Sequence, residues 1–230
     1  MSPERSSRSS RSSRSARTSE SPRPSSSFRT SRSSGRDASV RDSSGCDSSV
    51  RGVYRGEGLP AVCGVSPRVL ILGSFPSVMS LERREYYGNP HNQFWRIMDA
   101  VLGIDAALPY SRRVEEMKRR HIALWDAASE CLREGSSDST IRDAVGNDIA
   151  GFVKENPSVR VIFLNGRTGA GKIFSRFFKD FSAEFPDIDV LVMPSTSPAN
   201  AAVSLAEKIE CWSAVKGYLD GYTEGSHDGY

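Results

Sequence analysis

The sequence contains no Cys-x-x-Cys pair, no apolar run long enough to cross a bilayer, and no apolar core behind Met1. Its four cysteines, Cys46, Cys63, Cys131 and Cys211, stand far apart at irregular spacing. That distribution argues against a zinc site or a disulfide framework and suits a reducing compartment. Neither a membrane span nor a secretory leader is expected. Excess positive charge is also missing from most of the chain. Residues 1–50 hold 10 Arg, 21 Ser and only 5 acidic residues, which leaves 21 basic against 23 acidic residues for the remainder. A body so balanced should not grip a polyanion by bulk electrostatics, so any phosphate contacts must be few and local.

The Arg/Ser-rich segment cannot bury enough apolar surface to offset the entropy of ordering, and residues 1–55 are expected to form a disordered tail. Such a tail could bind nucleic acid nonspecifically, or serve as a solvated linker or phosphorylation target. It resembles organelle transit peptides in composition but lacks the apolar face of a targeting helix. An intracellular address is expected, with nucleus and organelle both open.

Regular structure should begin near Arg68. The run Arg68-Val-Leu-Ile-Leu-Gly73 is short, continuous and apolar, as a strand buried on both faces should be. Pro76 then stops any regular element. Asn89-Pro90 reads as a helix start, with Asn89 as N-cap and Pro90 at the first helical position. Phe94, Trp95, Ile97, Met98, Val101 and Leu102 give that helix an apolar stripe, and Gly103 ends it. Further strands are expected at residues 121–125, 159–164 and 188–193, and a helix at 147–155. Apolar residues recur at helical spacing from Ile173 to Phe181. A last helix from Ser204 carries a capping box with Glu207 and buries Leu205, Ile209 and Trp212. Strands alternating with helices imply a three-layer αβα sandwich around a four-stranded parallel sheet. Sites in such folds lie beyond the carboxyl ends of the strands. Here that means residues 73–77, 125–138, 165–169 and 194–200.

Gly166-Arg-Thr-Gly-Ala-Gly171-Lys172 matches the first seven positions of a phosphate-binding loop, whose amides would cradle phosphates while Lys172 reached the terminal one. Ile173 stands where a Ser or Thr should hold magnesium, and no later strand ends in a suitable Asp. A nucleotide-binding protein is therefore the weaker alternative.

Three segments carry a more specific pattern: Gly73-Ser-Phe-Pro-Ser77, Tyr86-Tyr-Gly-Asn-Pro-His-Asn-Gln-Phe-Trp95 and Leu191-Val-Met-Pro-Ser-Thr-Ser-Pro-Ala-Asn200. Together they resemble the hypoxanthine-DNA glycosylase (DNA-deoxyinosine glycosylase) branch of the uracil-DNA glycosylase superfamily. Leu124-Trp-Asp126 and Arg133-Glu-Gly-Ser-Ser-Asp-Ser139 resemble that branch as well. The resemblance spans residues 66–220, the expected catalytic domain. It implies hydrolysis of the N-glycosidic bond of a deaminated base, most readily hypoxanthine, after the base is flipped into a pocket. Glycosylases of the same superfamily acting on uracil or mismatched thymine share the helix-start pattern and remain the alternative substrates. The implied partner is DNA carrying deaminated bases. No cofactor or metal is implied, and a monomer is expected.

Many superfamily members place Asp or Asn two residues after the first-motif glycine, where this chain has Phe75. The catalytic role therefore passes to Asn92, because the hypoxanthine branch resembled here uses the Asn of this helix start. An amide can orient water or bind the base, although it cannot act as a strong base. Gly73, Ser74, Phe75 and Pro76 would line the base pocket, with Phe75 as an apolar wall or a core residue. Tyr87 would stack on the flipped base, with Tyr86 an equal contender, and His91 would touch phosphate or the leaving base. Ser195 replaces the His of uracil enzymes and can donate one hydrogen bond. Ser197, Pro198, Ala199 and Asn200 would meet the DNA, with Ala199 standing where a wedge Leu is common. Asp126 and Asp138 fall at the site's edge. They could stabilise the sugar cation or read a purine edge, or simply form turns. No lysine in the motifs is placed for a Schiff base, so no lyase step is expected, with Lys172 the residue to watch.

Overall fold

The computed structural model describes residues 53–138 and 141–220. The tail expected to be disordered lies, up to residue 52, outside the described residues. In chain order the elements are β1 (Val53–Glu57), β2 (Val69–Gly73), α1 (Val78–Arg83), α2 (Phe94–Leu102), α3 (Tyr110–Arg119), β3 (Ile122–Asp126), β4 (Ala128–Glu134) and β5 (Arg142–Gly146). There follow α4 (Ile149–Glu155), β6 (Val161–Asn165), a π-helical turn (Gly166–Gly171), α5 (Lys172–Phe177), α6 (Phe181–Glu184), β7 (Asp189–Met193), α7 (Leu205–Trp212) and α8 (Ala214–Leu219).

The central sheet has the order β3-β2-β6-β7, and every pairing in it is parallel. The four strands are those read from the sequence, each shifted by a residue or two. Alternation along β2 splits the core into two layers. Val69 and Ile71 pack with Phe94, Met98 and Trp212 on one side. Leu70 and Leu72 pack with Ile149, Val153 and Phe174 on the other. A strand so placed must be apolar at every position, which is why its sequence shows no alternation. Trp212 stacks near Phe163 and meets Phe94 edge-on, tying α2 and α7 to the sheet.

Three expectations need correction. Structure begins before Arg68, because β1 pairs antiparallel with β4, and Val62 bridges to Leu124. Residues 125–138 are not simply a loop: β4 joins β1 and β5 in a second, antiparallel sheet. That sheet left little trace because β4 is irregular in register and β5 is largely exposed. The first long helix starts at Phe94, not Pro90. Asn89 accepts a hydrogen bond from the His91 amide, and Asn92 from the Phe94 amide. These local bonds hold residues 89–92 in turns ahead of the helix. Gly103 closes α2 with φ 68°, as expected of a C-cap glycine. The apolar stripe from Ile173 to Phe181 is broken between α5 and α6, leaving Phe177 exposed. The capping box at Ser204 and Glu207 is present.

Candidate active site

The carboxyl ends of all four parallel strands open onto one cavity of about 810 Å³, within the usual range for small-molecule sites. The strand ends line it with Gly73 from β2, Asp126 from β3, Asn165 from β6, and Val192 and Met193 from β7. The register pairs Gly73 with Asp126 and Asn165 with Met193, so strand pairing itself sets the spacing of the floor.

The floor is polar yet buried. Asp126 is 3 % exposed, and its Oδ2 has no hydrogen-bond partner among the described residues. Gly73 makes room for it, since a Cβ at that position would lie 2.3 Å from Asp126 Oδ1. Burial, reinforced by the Asp138 carboxylate and opposed by Arg133, pushes the Asp126 carboxyl up to about 8. Asp138 accepts a 2.5 Å hydrogen bond from the Ser74 hydroxyl. Its carboxyl is also raised by burial, against the pull of that bond and of Arg133. Arg133, buried on β4, donates to the Phe75 and Pro76 carbonyls and to that of Gly135. Its guanidinium lies 5.3 Å from the centre of the Phe75 ring. Phe75 also packs with Ala127, Ala128 and Cys131, so its ring belongs chiefly to the core beneath the cavity. The Gly73 and Ser74 carbonyls accept from the Ala127 and Ala128 amides. The oxygens of the first-motif backbone are thus already engaged.

One wall is a chain of side chains. Asn165 donates to the Tyr87 hydroxyl and to Thr196 Oγ1, and accepts from the Thr196 amide. Tyr87 takes φ 56°, and its ring stacks on Phe94 with centroids 3.8 Å apart. Burial raises its phenol above the usual range. Tyr86 points elsewhere: its hydroxyl donates to the Leu59 and Pro60 carbonyls, and it sits in the core. Asn92 lines the cavity with Oδ1 accepting from the Phe94 amide. That bond fixes which side of the amide is oxygen, and Nδ2 makes no hydrogen bond among the described residues.

The opposite rim is residues 195–200. Ser195 Oγ accepts from the Ser197 amide, Ser197 Oγ from the Ala199 amide, and Asn200 Nδ2 donates to the Ser195 carbonyl. Pro198 and Ala199 are exposed. Lys208, 1 % exposed on α7, donates to the Asn200 carbonyl and Gln93 Oε1, each at 2.8 Å. Desolvation lowers its ammonium below the usual range. The Gln93 amide also donates to the Thr196 carbonyl. These bonds bind the rim to the turn that carries Asn92.

Every candidate residue drawn from the sequence lines this cavity except His91, which is exposed and outside it. Sequence reasoning missed roles for Arg133, Asn165, Thr196 and Lys208. A polar residue ending the clearest strand was the available signal for Asn165; Lys208 gave none, because its burial follows from packing. Its ammonium is bonded to Gln93 and Asn200, and Lys208 is not among the residues that line the cavity. The phosphate-loop match is not built as one. Residues 166–171 wind into a π-helical turn, Gly169 lies against Asp138, and Lys172 is exposed. Among the described residues no cluster of His, Cys, Asp or Glu could hold a metal ion, and no helix is long and apolar enough to cross a membrane.

A three-layer α/β sandwich with a cavity floored by buried polar side chains at its strand ends defines the class, and comparison gives the family. The profile of the uracil DNA glycosylase superfamily matches residues 60–216, and the chain belongs to that superfamily of DNA glycosylases. A protein of Methanosarcina acetivorans named hypoxanthine DNA glycosylase is 37 % identical over 159 residues, covering 69 % of this chain and 96 % of the relative. A protein of the same name from Methanosarcina barkeri is 35 % identical over 112 residues, 48 % of this chain and 71 % of the relative. A solution NMR structure of a candidate uracil DNA glycosylase from Methanosarcina acetivorans is similar at 35 % identity and a TM-score of 0.61. That match covers 73 % of this chain and 99 % of the other.

Proposed function

We propose that the chain excises hypoxanthine from deoxyinosine-containing DNA. The nucleotide is turned out of the duplex, its base enters the strand-end cavity, and water hydrolyses the N-glycosidic bond without a lyase step. The observation that carries this reading is the state of two positions. Phe75 occupies the ordinary catalytic position as a buried ring beneath Arg133. Asn92 stands on the cavity wall with its carbonyl held by the Phe94 amide and its NH₂ uncommitted.

Glycosidic cleavage builds positive charge on the sugar and negative charge on the departing base. The Asn92 NH₂ can donate to the base or to the attacking water, and its oxygen keeps a second lone pair for a water proton. A donor fixed before reaction costs no reorganisation as charge develops. Tyr87, already stacked on Phe94, offers an aromatic surface inside the cavity, where stacking on a base is worth about 1–3 kcal/mol. Ser195 supplies a hydroxyl donor beside the base, and Ser197 to Asn200 form the rim that meets the DNA. Unpairing the nucleotide costs a few kcal/mol, least for a mispaired base, which contributes to selectivity. The reading also fits the absence of a His at 195 and of a large wedge at 199, both of which disfavour uracil as the preferred base. Lys208 donates to Gln93 and Asn200, which favours hydrolysis over a Schiff base.

The test is a panel of labelled duplexes carrying hypoxanthine, xanthine, uracil or mismatched thymine, treated with alkali after incubation. Fastest release from the hypoxanthine duplex, unchanged by chelator, is expected. Preference for a pyrimidine lesion would replace the substrate, and silence on all four would remove the reading.

A further inference from the structure

We infer that Asp126 is the general acid of the reaction, its carboxyl giving a proton to N7 of the departing purine. This rests on the proposed excision of hypoxanthine. The placement is geometric. Asp126 ends β3 on the cavity floor and is almost wholly buried, with Oδ2 lacking any hydrogen-bond partner among the described residues. A buried carboxylate without partners is costly, whereas a neutral carboxylic acid in the same place costs much less and carries a proton to donate. The ionisable groups around it are Tyr86, Tyr87, Tyr110, Cys131, Asp138 and the Arg133 guanidinium. Arg133 alone among them is a cation, and it donates to the Phe75 and Pro76 carbonyls. The neighbouring strand has a glycine at the paired position, and any side chain there would collide with the carboxyl.

The chemistry balances. The N9–C1′ bond breaks with its electron pair moving into the purine ring, and N7 takes the Asp126 proton, so hypoxanthine leaves neutral. Water adds its oxygen to C1′ and loses a proton, which restores the Asp126 carboxyl. A purine gains from this more than uracil does, because uracil departs as an anion already spread over two carbonyls. The floor therefore favours purines at the chemical step, independently of pocket shape. Burial and the Asp138 carboxylate hold the Asp126 proton to about pH 8, near the pH at which a general acid is most effective.

The test is single-turnover release of hypoxanthine by the full chain and by Asp126→Asn, from about pH 5.5 to about pH 9.5. An acid-dependent step gives a wild-type rate that falls as pH rises through about 8. The variant should be slower by roughly 10²–10³-fold and lose that fall, because an amide can hydrogen-bond to N7 but cannot yield its proton. Thermal melting supplies a second readout. A carboxyl with its folded-state value raised above the ordinary 3.8 weakens folding as pH climbs from about 4 to about 8. Asp126→Asn should therefore gain stability over wild type across that window. A wild type that releases no hypoxanthine overturns both this and the substrate reading. Release with a flat wild-type profile, or a variant that matches wild type in rate or in melting at every pH, overturns the acid alone.

Discussion

The floor and the rim of the cavity are built on different terms. Floor residues sit at strand ends and are fixed by the register of the sheet. Gly73, Asp126 and Asn165 are buried, Gly73 lies against the Asp126 carboxyl, and Arg133 and Asp138 line the same cavity. The rim at residues 195–200 is held by a handful of polar bonds, from Asn165, Gln93 and Lys208, and its tip at Pro198 and Ala199 is exposed. Reaction geometry tolerates displacements of well under 1 Å, whereas a surface that follows a DNA backbone benefits from adjustment. On the proposed reading, chemistry belongs with the floor and the Asn92 wall, and DNA contact with the rim.

The sharpest way to break that division is to disturb the floor without replacing any ionisable side chain. Gly73→Ala places a methyl carbon within 2.3 Å of Asp126 Oδ1. Excision should fall by more than about 10²-fold, with about 1–3 kcal/mol of stability lost in denaturant melts. Normal activity in this variant would mean that the floor has slack. A change at the rim should read differently. Lys208→Met leaves the Asn200 carbonyl and Gln93 without their donor, destabilising the fold by about 1–3 kcal/mol. Its activity loss should appear mainly as about tenfold weaker DNA binding, with a smaller fall in the single-turnover rate at saturating protein through the turn that carries Asn92. An equal loss in the chemical step would erase the distinction between the two regions. The smallest effect belongs to the Arg-rich segment. Removing residues 1–50 should leave excision intact at low salt and make affinity less steeply dependent on salt, since the remaining body carries no excess positive charge.

The same contrast explains what could be read from the sequence. The four buried strands announce themselves because a strand covered on both faces must be apolar throughout, as residues 69–72 and 161–164 are. From their order, the four loops that meet at the cavity follow. The second sheet was hidden because β4 has a buried Arg133 and a mostly polar sequence. No local pattern distinguishes it from a loop. The helix start was misplaced for a similar reason. Asn89 and Asn92 both bond to nearby amides, and the Thr196 carbonyl takes the Gln93 amide. That last contact joins segments a hundred residues apart and has no local signature. Asp126 was visible as a residue but not as a chemical state, because its perturbation comes from burial and from Asp138 across the loop.

The central claim is that the Asn92 amide performs the work usually given to the position of Phe75. Single-turnover release of hypoxanthine by wild type and Asn92→Ala tests it most directly, with melting followed in parallel. Loss of the bond to the Phe94 amide should cost about 1 kcal/mol of stability, while the rate drops by roughly 10²–10³-fold. A variant that shows the stability loss yet releases hypoxanthine at the wild-type rate would reduce Asn92 to a helix cap and contradict the account.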